Sequence, residues 1–185
     1  ALIHSHSFIA SLPDRRCKDR SGTAPHGQSR ARAHIGGMEY DCDILIVGGG
    51  LNGPAMALAV AASGMKITVV DTLTTRIRKN AAFDGRSYAL ALASVRLLRN
   101  LGVWDAVADH AQPMLEIKVS DGHAGEGPDP FFLHFDHAEI EEGPMGYMVE
   151  DRYVRQSLLA AMEAEDRITQ ISGETVVAQS GSTVT

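Results

Sequence analysis

A glycine-rich turn at residues 48–53 constrains the fold more than any other stretch of this chain. It follows Ile44–Val47, four apolar residues in a row, which predict a strand buried on both faces of a parallel sheet. The turn itself has the spacing G-x-G-x-x-G. In that motif the first glycine permits a tight turn, the second lets a pyrophosphate approach the backbone, and the third lets helix and strand pack closely. The predicted dinucleotide-binding residues are Gly48, Gly49, Gly50, Leu51, Asn52 and Gly53.

The residues after the turn predict the rest of a β-α-β unit. Residues 52–63 carry no charge, so nothing there repels a phosphate held by the free N–H groups and dipole of a helix start. Pro54 is placed in the first turn, where a missing N–H is tolerated, and Gly64 is placed to end the helix. Residues 66–70 predict a second strand. Asp71 ends it, where an acid accepts hydrogen bonds from a ribose diol.

The charge of the chain is divided unevenly. Residues 1–37 carry six Lys/Arg and two Asp, a net charge of +4, whereas residues 38–185 carry eleven Lys/Arg and twenty-one Asp/Glu, a net charge of −10. An acidic body argues against nucleic acid as a partner, because binding to a phosphate backbone depends on clustered cations. Cys17 and Cys42 suggest no disulfide framework, which fits a reducing compartment.

Two regions of the chain are expected to behave differently. Residues 1–37 show no helical or strand periodicity and are rich in Ser, Arg, His and Gly, so we expect a disordered extension. A transit peptide has this composition, but translated sequence upstream of a true start at Met38 is the favoured interpretation. Residues 38–185 then form the folded part.

The remaining elements follow from periodicity and turn residues. The cations of the segment 72–85, Arg76, Arg78 and Lys79, are expected to lie in a solvated loop, and a basic loop beside a doubly charged pyrophosphate is the alternative. A Gly/Pro-rich loop is expected at residues 121–130, and Asp151 is expected to cap a second helix. The further predicted helices are Tyr88–Leu101 and Asp151–Glu165, and the further predicted strands are Leu115–Ser120, Phe131–Phe135, Met145–Val149, Ile168–Ile171 and Thr175–Gln179.

The histidines do not suggest a metal site. His110, His123, His134 and His137 have irregular spacing, and surface positions are the favoured interpretation. No pattern of nucleophile, acid or base stands out either. We therefore expect neither a metal ligand set nor a catalytic side chain, and expect that any chemistry belongs to a bound cofactor.

Three stretches together resemble a known family. They are DILIVGGGLNGPAMALAVAASGMKITVVD, FDGRSYALALASVRLLRNLGVWDAV and GPMGYMVEDRYVRQSLLAAM. From about Tyr40 onward the chain resembles the flavin-dependent ubiquinone-biosynthesis hydroxylases, a group of FAD-binding aromatic-ring monooxygenases. The resemblance implies an α/β, Rossmann-like FAD-binding domain, in which a parallel sheet with helices is joined by an antiparallel meander. A later Gly-Asp motif of the family is missing, so the substrate domain is expected to be incomplete.

The resemblance also implies roles for individual residues. Residues 48–53 would hold the FAD pyrophosphate, and Asp71 would hold the adenosine ribose. Arg86 matches the flavin-contacting arginine of the family, and Arg152 lies where relatives place another FAD-contacting side chain. The family usually has Asn or Arg at the position of Asp151, so which of these two neighbours makes that contact stays open.

The implied reaction is hydroxylation of a prenylated phenol with NAD(P)H and O₂ as co-substrates. A lipid-soluble substrate implies a cytoplasmic enzyme in peripheral contact with the inner membrane, or a matrix enzyme if residues 1–37 are a transit peptide, with other ubiquinone-biosynthesis proteins as partners. The isolated chain is expected to bind FAD weakly without turnover. Two alternatives stay open, an NAD(P)-dependent dehydrogenase domain and a non-catalytic FAD-binding fragment. Continued alternation of helix and parallel strand would favour the dehydrogenase, whereas a meander at residues 115–150 favours the flavoprotein.

Overall fold

The computed structural model describes residues 8–9, 40–123, 125, 127–139, 143–180 and 183–185. The strands in chain order are β1 (Phe8–Ile9), β2 (Ile44–Val47), β3 (Ile67–Asp71), β4 (Ser87–Ala91), β5 (Gln112–Met114), β6 (Glu116–His123), β7 (Gly127–Asp136), β8 (Gly146–Glu150), β9 (Ile168–Ser172), β10 (Gln179–Ser180) and β11 (Thr183–Val184). The α-helices are α1 (Asn52–Ala61), α2 (Thr75–Arg78), α3 (Leu92–Asn100), α4 (Asp105–Ala108) and α5 (Asp151–Glu163). Apart from Phe8–Ile9, the predicted disordered extension at residues 1–37 lies outside the described residues.

The predicted β-α-β unit is present and forms the first layer. Strands β2, β3 and β9 are parallel, with β3 in the middle, and β1 pairs antiparallel with β2. Helices α1 and α5 pack against this sheet, because alanines on α1 let it lie close and the apolar side chains of α5 complete the core. The buried members of this core are Ile46, Ala57, Ala61, Ile67, Val69, Leu159, Met162 and Ile168.

A second, antiparallel sheet lies beside the first layer, and its strands are ordered β4-β8-β5 across the sheet. It shares α5 with the first layer, since Val154 and Leu158 of that helix belong to the second core while Leu159 and Met162 belong to the first. Trp104 is 5% exposed and belongs to this core. Because one helix serves both cores, the parallel and antiparallel sheets are held in a fixed relation. The hairpin β6–β7 completes the antiparallel part.

Residues 88–101 do not form the single helix that the leucine spacing predicts. Residues 87–91 form strand β4, and only Leu92–Asn100 is helical. In β4 the side chains of Tyr88 and Leu90 are half-buried while their neighbours are exposed, which is the two-residue period of a strand. The strand forms because β8 offers a partner, with Tyr88 opposite Val149. Tertiary pairing therefore overrides the local helical preference.

Other boundaries also differ from the predictions. The segment 72–85 contains the short helix α2. The loop predicted at residues 121–130 is shorter, since β6 runs to His123 and β7 starts at Gly127. Residues 175–178 are not strand, although a strand was predicted at Thr175–Gln179. The other predicted strands and α5 agree with the structure to within a few residues at each end, whereas β5 and α4 were not predicted. In the described part of the chain, no helix combines the length and apolar character needed to cross a bilayer.

Candidate dinucleotide site

The glycine turn connects the carboxyl end of β2 to the start of α1, as predicted. Gly48 has φ +109°, a conformation that side chains rarely adopt. A Cβ added at Gly53 would lie 1.9 Å from the carbonyl oxygen of Gly48, so the third glycine is required for close packing. Gly50 is different, because it is exposed and an added Cβ would meet no atom within 4 Å. Of the three motif glycines, Gly48 is therefore required by its backbone conformation, Gly53 by close packing, and Gly50 faces open space.

The start of α1 offers hydrogen-bond donors without a competing negative charge. The first turn of the helix contains no acidic residue. No backbone hydrogen bond within the described residues uses the N–H groups of Gly50, Leu51, Asn52 or Gly53. Free N–H groups at a helix start, together with the helix dipole, favour an anion such as a diphosphate. These residues fit the pyrophosphate of a dinucleotide.

Asp71 lies directly against the glycine turn. Its Oδ2 accepts a hydrogen bond from the backbone N–H of Gly49 at 2.5 Å, and its Oδ1 accepts one from the N–H of Leu73 at 2.7 Å. Each carboxylate oxygen has a second lone pair, so these bonds leave capacity for a ribose hydroxyl. The carboxylate is also held in one orientation by two backbone donors. Contact with a ribose stays a prediction.

Arg78 is buried, although a solvated loop position was predicted for it. Its side chain is 2% exposed, and its Nη2 donates a hydrogen bond to the carbonyl oxygen of Gly49 at 3.2 Å. Burial lowers the pKa of the Arg78 guanidinium from its ordinary value, and the carboxylate of Asp71 opposes part of that change. An arginine remains charged even so. A permanent positive charge therefore lies beneath the glycine turn.

A second polar cluster surrounds Asp151, whose side chain is 3% exposed. The predicted N-cap role is wrong, because Glu150 occupies that position and the carboxylate of Asp151 instead accepts side-chain hydrogen bonds. It accepts one from Tyr88 Oη at 3.0 Å, one from Arg155 Nε at 2.7 Å and one from Arg86 Nη2 at 3.2 Å. Burial raises the pKa of the Tyr88 hydroxyl, and its hydrogen bond to Asp151 adds to this effect.

Arg86, which contacts Asp151, and Arg152, the next residue after Asp151, differ in their surroundings. Arg86 is half-exposed, and a hydrogen bond to Asp84 raises the pKa of its guanidinium. Arg152 is more enclosed. Its Nε donates to Glu150 at 2.6 Å, its Nη1 donates to the carbonyl oxygen of Ala81 at 3.2 Å, and its Cζ lies 4.8 Å from the ring centroid of Tyr153. Arg86 is therefore the freer of the two for a ligand.

Hydrogen bonds join the glycine turn to the Asp151 cluster. Arg155 bonds Asp151 through Nε and the carbonyl oxygen of Arg78 through Nη1, and Arg78 in turn bonds Gly49. The predicted residues at 48–53 and Asp71 are thus brought together directly, and Arg86 is connected to them through this network. Arg152 has no member of the turn among the partners described above.

Arg78 was predicted to lie in a solvated loop, and Tyr88 and Arg155 were not predicted as site residues. The spacing of Asp151 and Arg155, four residues apart on a predicted helix, was a visible signal of an ion pair. For Arg78 and Tyr88 the deciding contacts come from distant parts of the chain. The predicted surface positions of His110 and His134 are confirmed by their exposure.

Comparison with known proteins agrees with this geometry. Residues 41–183 match the family model of the FAD binding domain. Ubiquinone hydroxylase UbiL of Rhodospirillum rubrum is 43% identical over 127 residues, which cover 69% of this chain and 28% of that protein. The 3-demethoxyubiquinol 3-hydroxylase of Escherichia coli is 36% identical over 129 residues, covering 69% of this chain and 32% of that protein. Among solved structures, the flavin-dependent monooxygenase PieE superposes with a TM-score of 0.55 at 23% identity, covering 72% of this chain and 24% of that one, a likeness of fold.

The chain belongs to the FAD binding domain family, because the family model matches more than half of its residues. The predicted α/β FAD-binding fold and the predicted resemblance to ubiquinone-biosynthesis hydroxylases are both confirmed. The chain spans 28% and 32% of the length of these two curated relatives.

Proposed function

We propose that this chain is the FAD-binding part of a flavin-dependent hydroxylase that acts in ubiquinone biosynthesis. One observation carries the proposal. An exposed Gly50 with open space around it lies beside free N–H groups at the start of a ten-residue helix without acids in its first turn. That arrangement suits a diphosphate, and the family to which the chain belongs binds FAD.

The residues have separate tasks in this proposal. Residues 48–53 hold the pyrophosphate through backbone N–H groups, and Asp71 accepts hydrogen bonds from the adenosine ribose. Arg86 is half-exposed and is the proposed flavin-contacting cation, and Arg152 is a secondary candidate for contact with FAD. When bound, FAD supplies the transfer of electrons from NAD(P)H and the activation of O₂. The protein provides binding, orientation and exclusion of water.

The proposed substrate is a small aromatic molecule, namely a prenylated phenol. Support comes from the relatives, which are called ubiquinone hydroxylase and 3-demethoxyubiquinol 3-hydroxylase. Because such a substrate is lipid-soluble, we place the complete enzyme in the cytoplasm, in peripheral contact with the inner membrane and with other ubiquinone-biosynthesis proteins. A location in the mitochondrial matrix follows instead if residues 1–37 are a transit peptide.

The arrangement of strands does not favour the dehydrogenase alternative. After β3, the chain forms the antiparallel sheet β4-β8-β5 instead of a further run of parallel strands. The second alternative, a non-catalytic FAD-binding fragment, has the same cofactor site as the proposed hydroxylase and differs from it only in having no turnover.

The experiment is to purify the 185-residue chain, add FAD or NADH in separate samples, and remove unbound ligand by gel filtration. Retained yellow absorbance in the FAD sample, with no retained NADH, is the expected result. Tight NADH retention without flavin would contradict the proposal. A matched sample of Gly50→Val is expected to retain neither ligand. We expect no NADH oxidation when the flavin-loaded chain is assayed with a prenylated phenol, because the chain spans only 28% and 32% of the length of the two curated relatives. Turnover would exclude the alternative of a non-catalytic fragment.

A further inference from the structure

Arg78 makes contacts that the glycine fingerprint does not explain. It ends α2, and its guanidinium packs on Gly49, a residue at a position where the fingerprint accepts any residue. Its Nη2 donates to the Gly49 carbonyl at 3.2 Å, and its Nη1 lies 3.5 Å from the hydroxyl of Ser172. Its Nε has no hydrogen-bond partner among the described residues. A buried cation with an unsatisfied donor is costly, so its retention points to a function.

Gly49 is held on both sides by charged groups. Its N–H donates to Asp71 and its carbonyl accepts from Arg78, so both polar groups of this residue are fixed by side chains from other elements. A Cβ added at Gly49 would lie 2.8 Å from Cζ and Nη2 of Arg78 and 3.0 Å from Cβ of Asp71. Gly49 is therefore required because Arg78 and Asp71 close around it, and the next residue, Gly50, is exposed.

The end of α2 is itself fastened to α5. Arg155 donates from Nη1 to the carbonyl oxygen of Arg78 and from Nη2 to that of Asn80 at 3.1 Å, while its Nε bonds Asp151. Lys79 forms an ion pair with Glu163 at 2.7 Å. These contacts involve Arg78, the last residue of α2, and the two residues that follow it. Contacts with α5 therefore fix the backbone of Arg78, whose side chain contacts the glycine turn.

We propose that Arg78 is a positioning residue of the dinucleotide site. It holds the Gly49 peptide with its carbonyl turned toward the guanidinium, and this leaves the N–H groups of Gly50 and the residues after it available for the diphosphate. The inference rests on the proposed function, since it assigns a role toward the same ligand. Its positive charge also favours a doubly charged diphosphate above the turn.

The test uses Arg78→Lys in the full 185-residue chain, with Arg76→Lys as the matched control. Arg76 lies on the same short helix, and it is exposed. Binding of FAD and of ADP, which carries the same diphosphate, is measured by titration calorimetry. Arg78→Lys is expected to weaken both ligands by about tenfold, because one lysine donor does not replace the guanidinium contacts. Arg76→Lys is expected to stay within about twofold of the unmodified chain.

A second measurement needs no ligand. Hydrogen exchange of the Gly49 amide is expected to be about tenfold faster in Arg78→Lys than in Arg76→Lys, because the peptide is no longer held on its carbonyl side. A double-mutant cycle of Gly49→Ala with Arg78→Ala should show that the alanine at 49 weakens binding much less when Arg78 is absent. Unchanged exchange, or strictly additive effects, would overturn the positioning role. If the unmodified chain binds neither FAD nor ADP, the proposed function is contradicted. The exchange measurement, which needs no ligand, still tests the positioning role of Arg78.

Discussion

The backbone N–H of Gly49 donates to the carboxylate of Asp71 with 2.5 Å between nitrogen and Oδ2. Gly49 follows the first strand of the β-α-β unit and Asp71 ends the second, so this bond joins the two ends where a dinucleotide would lie. The bond fixes Asp71, the acid predicted to hold a ribose, and Gly49, whose peptide leads into the diphosphate-binding turn. The two parts of the site are therefore coupled through one hydrogen bond.

Asp71→Asn is expected to weaken FAD binding by about tenfold. The amide loses the negative charge that strengthens the bonds to Gly49 and Leu73, and charge-assisted bonds contribute about 1.5–3 kcal/mol. Titration calorimetry measures the change, with Asp41→Asn, at an exposed site, as the matched control. Equal affinities for the two variants would show that Asp71 has no part in binding.

Gly53→Ala is expected to lower the free energy of unfolding by about 3 kcal/mol, at the upper end of the usual cost of overpacking. The new Cβ would lie 1.9 Å from the carbonyl oxygen of Gly48, so the backbone must move. Urea denaturation followed by circular dichroism measures the change. Gly50→Ala is the control and should differ from the unmodified chain by less than about 0.5 kcal/mol, since its Cβ meets nothing within 4 Å. Similar losses for both variants would contradict the described turn.

Arg86→Gln is expected to weaken FAD binding about tenfold while leaving the unfolding free energy nearly unchanged. Its guanidinium is half-exposed, and Asp151 keeps hydrogen bonds from Tyr88 and Arg155 when Arg86 is removed. Arg76→Gln serves as the control for loss of a surface charge. If affinity is preserved but stability falls sharply, Arg86 is structural, and its assignment to the cofactor site is wrong.

Tyr88 is expected to ionise above the ordinary tyrosine range. Burial and the bond to Asp151 raise its pKa in the folded protein, so the folded state holds the proton more tightly than the unfolded chain does. The resulting stability is fully present below about pH 10, the unfolded pKa, and is lost as pH rises toward the folded pKa. The difference in tyrosinate absorbance between the unmodified chain and Tyr88→Phe measures this titration. A midpoint at or below that of an exposed tyrosine would contradict it.

The β-α-β unit was predictable because its signals are local. Strand β2, the turn and α1 are contiguous, and the close approach at Gly53 is to Gly48, within the same turn. The same holds for Gly64, whose φ of +85° follows α1 at the predicted place. Local signals also sufficed for α5, whose apolar side chains recur at helical spacing.

The predictions that were wrong concern residues whose contacts are made by distant parts of the chain. Tyr88 and Leu90 fit a helix by spacing, but pairing of β4 with β8 makes them strand residues. In the sequence Arg78 cannot be distinguished from an exposed loop cation, because its contacts with Gly49 and Arg155 come from distant parts of the chain. Aspartate is a common helix N-cap residue, but the carboxylate of Asp151 is buried and contacts Tyr88, Arg86 and Arg155. Spacing within one segment carries no information about such contacts.

The most direct test of the diphosphate site is calorimetric titration of FAD into the unmodified chain and into Gly50→Val. A Cβ added at Gly50 meets no atom within 4 Å, so we expect the valine variant to remain folded. We expect measurable FAD binding by the unmodified chain and at least a hundredfold weaker binding by the variant, equivalent to about 2.7 kcal/mol. Equal affinity in the two proteins would contradict the assignment of the glycine turn as the diphosphate site.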